Sequence, residues 1–262
     1  MQNWTLTRKT LAAICLVALF SQQAVAQSED DGWEHSLAVY LWGASISGTS
    51  AAGTDLELDF DDILDHLEMA FMGSYMGRKG KWSIMGDLMY MDISGDKQMN
   101  LVPPYGGGNI GLDVNAGLDM KSLVVHMGGG YNLYDDGEGT TTDVIAGVRY
   151  LDLSTDLLLD FQVNPSGPGL EISQSVSEDV WDAIVGFRGV ISLGDRWFMP
   201  WGGNIGAGDS DLTWQAMAGV GFRAASWADI ALTYRYLKWE FDDMAIEDLA
   251  ISGPLLGVIF RF

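Results

Sequence analysis

One cysteine, three histidines, six prolines and 14 lysines and arginines in 262 residues limit what this chain can be. A lone Cys15 forms no internal disulfide, so stability must come from burial and backbone pairing. The longest uninterrupted apolar run, Leu11 to Phe20, is ten residues, about half of the roughly 20 that a membrane-crossing helix needs. Against 36 aspartates and glutamates the basic residues leave a net charge of −22, which repels nucleic acid and anionic lipid surfaces alike. With so little proline there is no Pro/Ser-rich linker, and no long charge run divides the chain, so one domain is expected. The histidines, His35, His66 and His126, supply no metal motif, and no Gly-x-Ser-x-Gly elbow is present. Ser122 precedes His126 by four residues, about 13 Å along a strand and beyond hydrogen-bond reach. These scarcities argue against an enzyme and imply no cofactor.

What the chain does have is concentrated at its two ends. Arg8-Lys9 precede the ten-residue apolar run, and Ala24-Val25-Ala26 offers small residues at a cleavage position, so residues 1–26 read as a secretory signal peptide. Ile14 stands before Cys15 where a lipoprotein leader needs a small residue, so lipidation is not expected. Residues 27–262 then form the exported domain, with no thiol and a net charge of −24. At the other terminus Leu256, Val258, Phe260 and Phe262 alternate with Gly257 and Arg261. Gly257, Phe260 and Phe262 resemble the C-terminal assembly signal of bacterial outer-membrane barrels, which implies handling by the secretion and barrel assembly machinery.

Period-two alternation predicts ten membrane strands, near 34–47, 67–78, 81–94, 119–134, 139–153, 180–193, 196–207, 211–223, 227–240 and 254–262. The fold class expected is an all-β, antiparallel up-and-down transmembrane barrel of about 10 strands, within 8–12. Leu212, Trp214, Ala216, Ala218, Val220 and Phe222 suit lipid, whereas Thr213, Gln215, Gly219, Gly221 and Arg223 suit a polar lumen. Short turns at 78–81, 135–139, 193–196 and 224–226 alternate with long connections at 48–66, 95–118, 154–179 and 241–253; only 208–210 breaks the rule. That asymmetry puts the short turns and both termini in the periplasm. Trp82 and Trp197 at one end and Trp181 and Trp214 at the other, all on the lipid phase, predict two aromatic girdles.

Three Gly-x-Arg units, Gly147-Val148-Arg149, Gly186-Phe187-Arg188 and Gly221-Phe222-Arg223, are joined by Thr233-Tyr234-Arg235. The spacing puts Arg149, Arg188, Arg223 and Arg235 on the luminal phase with Asp87, Asp143, Asp182 and Asp229. Because unpaired charges in a narrow barrel are costly, a pairing network that fills the lumen is expected, with Asp182 as a partner of Arg188. A passive, cation-preferring, porin-like channel is the alternative. The first long loop, Asp55 to Glu68, carries seven acidic residues. Phe60, Ile63, Leu64 and Leu67 are spaced for one face of a short helix over or inside the barrel mouth. Its carboxylates, otherwise a solvated face, are candidates for divalent cations, although the EF-hand spacing is absent.

From Trp181 to Phe262, Gly186-Phe187-Arg188-Gly189, Asp195-Arg196-Trp197-Phe198, Ser210-Asp211-Leu212-Thr213-Trp214-Gln215, Tyr234-Arg235-Tyr236-Leu237 and Ser252-Gly253-Pro254-Leu255-Leu256-Gly257 resemble a family of proteobacterial outer-membrane β-barrel proteins without an assigned activity. Tyr40-Leu41-Trp42-Gly43 and Asp61-Asp62-Ile63-Leu64 fit the same family. The resemblance implies the cell outer membrane of a Gram-negative bacterium, contact with its lipid, and a structural or surface-interaction role rather than catalysis. It brings no catalytic residues, and Leu255 departs from it where the assembly signal often has a polar residue.

Overall fold

The computed structural model describes residues 32–50, 55–101, 111–164, 169–242 and 246–262. The expected signal peptide and the Pro165–Pro168 turn lie outside them. Twelve strands and one helix follow in order: β1 (Glu34–Trp42), β2 (Ser45–Ser50), β3 (Asp55–Leu58), α1 (Phe60–His66), β4 (Leu67–Lys79), β5 (Trp82–Leu101), β6 (Gly111–Asp135), β7 (Thr141–Asn164), β8 (Gly169–Ser192), β9 (Trp197–Gly208), β10 (Leu212–Arg223), β11 (Ala228–Glu240) and β12 (Ile246–Arg261).

Ten of these strands close a barrel. Each of β4 to β11 pairs antiparallel with the next, and β1 lies between β12 and β4. With β1 paired to both β12 and β4, no strand of the ring is a free edge strand, the condition for strands to cross a bilayer. The expected first strand, 34–47, breaks at Gly43-Ala44 into β1 and β2, and both halves lie along β12. β3 pairs only with β2, which brings the sheet to twelve. At the end carrying both termini the connections are tight. Gly80 takes a positive φ of 57° between the paired Lys79 and Trp82, a conformation cheap only for glycine.

The exterior follows the expected phase. Ala216, Ala218, Val220, Ile230, Leu232, Tyr234 and Leu256 face outward and exposed, while Thr213, Asp229, Thr233, Arg235 and Leu255 are buried within. Trp82 stacks edge-on against Tyr131, Trp197 lies beside Phe222, and Trp227 beside Phe260, forming a ring near the short turns. Tyr150 with Trp181 and Trp214 with Tyr236 form the ring at the far end, joined by Tyr90. On β6, Tyr131 and Leu123, the partner of Tyr90, are separated by about 26 Å of strand, or about 20 Å of depth at a tilt of about 40°, close to the apolar band of a membrane barrel.

Height around the barrel is uneven. β5 to β8 continue past the outer ring as unbroken strands of 20, 25, 24 and 24 residues, whereas β9 and β10 stop at 12. The long connections therefore extend the wall itself. One expectation about α1 fails: Ile63 is buried and Leu67 packs on the core, but Phe60 and Leu64 are exposed. The helix has one turn in contact with the interior, too short a span to turn all four residues inward.

Candidate functional site

Inward phase brings side chains from seven strands to one layer of the lumen. Arg235 on β11 donates from Nη1 to Asp87 Oδ1 on β5 at 3.1 Å and from Nη2 to Gln215 Oε1 on β10 at 2.6 Å. Tyr40 on β1 donates its hydroxyl to Asp87 Oδ2 at 2.8 Å. Arg149 on β7 donates from Nε to His126 Nε2 on β6 at 2.7 Å, and its other nitrogens donate to Thr213 on β10 and Asn204 on β9. On the other side of the ring, His126 Nδ1 lies 3.4 Å from Arg235 Nη2 and 3.9 Å from Asp87 Oδ1. A chain of contacts thus runs from β1 across to β9, and Arg149 is 0% exposed.

Closer to the short turns lies a second cluster. Asp143 accepts from Arg78 Nη2 at 2.5 Å, from Arg188 Nε at 3.4 Å and from Asn132 Nδ2 at 2.9 Å. Arg188 also donates to Ser83 Oγ at 3.0 Å and leans on the thioethers of Met76 and Met85. At the rim, Arg261 holds Asp229 at 2.7 Å, and Arg223 donates to the carbonyls of Gly194 and Asp195. The Gly-x-Arg spacing has a packing reason here. A Cβ on Gly221 would stand 2.1 Å from the Phe198 ring, on which the Arg223 guanidinium lies.

All eight luminal residues expected from sequence, Asp87, Asp143, Arg149, Asp182, Arg188, Arg223, Asp229 and Arg235, face inward, but their pairing differs. Arg188 pairs with Asp143, its register neighbour on β7. Asp182 instead accepts from the Ser210 amide and hydroxyl at 3.0 and 2.7 Å, and its Oδ2 has no hydrogen-bond partner. Arg149 rests on neutral acceptors although Asp182 is its register neighbour. Register fixes which backbones adjoin, while rotamers choose among several inward partners, a decision absent from the sequence pattern. Tyr40, Arg78, Asn132 and Asn204 were not singled out; each stands on the inward phase of its strand, which is the signal that would have found them.

Above this network the lumen changes character. Trp42 lies over the Arg235 guanidinium at 5.1 Å and Trp239 over that of Arg149 at 5.7 Å. Beyond them Met72, Met89, Met91, Ile93, Met120, Leu151, Leu153, Leu237, Leu249 and Ile251 form one buried apolar cluster. A uniformly polar lumen was expected, so the outer half is a correction. There Met91, Ile93, Met120, Leu151 and Leu153 face in while Asp92, Asp119 and Asp152 face out, so the rule that the polar phase lines the lumen is inverted at this level. The acidic segment Asp55 to Glu68 forms β3, α1 and the start of β4, and among the described residues no histidines, cysteines or carboxylates gather as a metal site.

No known family model matches the chain, and neither does any curated protein. Among solved structures it is similar to neisserial surface protein A at 12% identity, covering 88% of this chain and 98% of that one with a TM-score of 0.33. It is also similar to Ail, the attachment invasion locus protein of Yersinia pestis, at 11% identity, 88% and 99% coverage and a TM-score of 0.34. The outer membrane protease OmpT from Escherichia coli matches at 9% identity, 89% and 98% coverage and a TM-score of 0.42. Likenesses this distant transfer no residue roles. The closed barrel with its apolar band and two aromatic rings has the architecture of a membrane-spanning β-barrel of the outer-membrane type.

Proposed function

We propose that the protein is a non-conducting barrel with a structural or surface-interaction role, and not an enzyme. The observation that carries this reading is the hydrogen-bonded layer from Tyr40 through Asp87, Arg235 and His126 to Arg149 and Asn204, which joins β1 to β9 across the lumen. An ion crossing it would have to break several buried charge-assisted bonds at once, each worth about 1.5–3 kcal/mol. The surface role is supported by β5 to β8, which rise past the outer ring and carry Asp92, Asp119, Asp152, Asp156 and Asp179 on their outward phase. Divalent cations bridging those carboxylates to outer-membrane lipid are the partners that such chemistry suits.

Purified protein in planar bilayers should give no steady unitary currents, and the double variant Arg149→Ala/Arg235→Ala should conduct if it still assembles. Stable currents from the unmodified protein would replace this reading with that of a channel.

A further inference from the structure

We infer that the barrel has a side entrance for a lipid acyl chain, at the seam between β1 and β4 in the outer half of the membrane. The other seams carry ladder pairs up to the outer ring, although that of β9 and β10 skips two residues between Ala218–Trp201 and Gly221–Phe198. Between β1 and β4 the ladder consists of six pairs, Glu34–Arg78 to Val39–Gly73, and then stops. Both strands go on: Tyr40 to Trp42 stay paired with β12, and Leu67 to Met72 stay paired with β5. Toward β1, Leu67 to Met72 have no ladder partner among the described residues. Phe71 is the register partner of Tyr90, so the gap opens at the level of the outer aromatic ring.

Backbone left unpaired at that depth is expensive when hydrocarbon faces it, and it is retained where it lines a passage. Three further features describe the passage. Its lips are apolar and bare: Leu41 is 74% exposed, Phe71 57% and Met69 55%. Ala70 pairs with the buried Met91 and so belongs to the inward phase, yet it is exposed, because no strand covers it on the open side. The helix α1, joined directly to β4, stands at the head of the gap with Ile63 turned into the apolar cluster and Leu64 outside.

Behind Ala70 the filling suits hydrocarbon. Met72, Met89, Met91 and Met120 are unbranched thioethers that re-pack at low cost, so a chain can displace them without leaving a void. The floor is Trp42, Trp239 and the two arginines beneath them, where an apolar chain gains nothing by going deeper. The lips are continuous with the lipid-facing exterior, which makes the surrounding lipid the occupant. The inference uses the closed lumen only as this floor, so conductance tests one reading and acyl-chain labelling the other.

The test uses the unmodified protein in phosphatidylcholine vesicles doped with a phosphatidylcholine that carries a photoreactive diazirine on its acyl chain. After illumination, peptide mapping should find adducts on inward-facing Met91, Met89 or Met120 as well as on outward-facing Phe71 and Leu41. Ala70→Phe, with folding confirmed by heat-modifiable migration, should lose the methionine adducts and keep those on Phe71. Adducts confined to outward-facing residues of the unmodified protein would overturn the inference whether or not the variant folds. Methionine adducts that persist in Ala70→Phe would also overturn it, by showing that the chain enters elsewhere.

Discussion

The inner half of the lumen is filled by arginine, aspartate and amide side chains in fixed hydrogen bonds, the outer half by methionine, leucine and tryptophan held by contact alone. Both halves fill the same barrel, but they do so with different tolerance to change. A polar filling is directional, so removing one member leaves another buried without a partner. An apolar filling loses surface and contacts in proportion to volume, and long flexible side chains close small voids. The inner half is therefore the rigid one and the outer half the deformable one.

The widest separation between the halves should come from Arg235→Ala. It strips Asp87, Tyr40 and Gln215 of a common partner and should destabilise by about 3–5 kcal/mol, measured as the urea midpoint of the tryptophan emission change in vesicles. A loss under about 1 kcal/mol would erase the distinction, since neutral hydrogen bonds contribute that much.

On the lipid face, Ala218→Arg lies midway between Trp214 and Phe222 and should cost about 2–4 kcal/mol in the same assay. That value calibrates a buried charge without partners. If it proved neutral, the phase of β10 on which both halves of the lumen depend would be wrong.

Arg188→Ala tests redundancy inside the polar half. Asp143 retains Arg78 and Asn132, so the expected loss is about 1–2 kcal/mol, below that for Arg235. An equal or larger loss would mean that Arg78 does not hold Asp143 in place.

In the outer half, Met91→Leu keeps volume and apolarity and should cost less than about 1.5 kcal/mol. A cost matching Arg235→Ala would show that the apolar layer is as tightly specified as the network beneath it. The smallest effect belongs outside both halves, at Asp136 in the β6–β7 turn. Hydrogen bonds from Thr140, side chain and then backbone, and from Glu138 hold its carboxyl below the usual aspartate range. A depressed folded-state pKa stabilises above the unfolded value of about 3.9 and is lost as pH falls through the folded one. The small gap in urea midpoint between unmodified protein and Asp136→Ala should accordingly be present at neutral pH and close on acidification. A gap that widened in acid would reverse the sign.

β4, β9, β10 and β11 were legible within two residues at both ends, and β5 to β8 and β12 at their short-turn ends, because one face meets lipid and the other does not, which imposes period two on the chain. Beyond the outer ring, where no lipid enforces that difference, β5 to β8 and β12 run 7–11 residues further than expected. β11 shows the rule well: Ile230, Leu232 and Tyr234 face out, and Asp229, Thr233 and Arg235 face in. β1 and β2 were hardest, since Leu41 and Trp42 are both apolar and only the former meets lipid. The luminal arginines were legible as inward residues and illegible as pairs.

By itself the sequence determined a barrel without a disulfide, its membrane phase, its two aromatic rings and the inward direction of eight charged residues. Those properties follow from contact with solvent or lipid, which each residue makes on its own account and which alternation therefore records. Only the tertiary structure decided that Arg188 takes Asp143, that Asp182 takes Ser210, that the lumen divides into polar and apolar halves, and that the ladder between β1 and β4 stops at Val39 and Gly73. Each of these depends on which side chains from distant strands reach the same point, and that is set by register and closure around the whole barrel rather than by any stretch of chain.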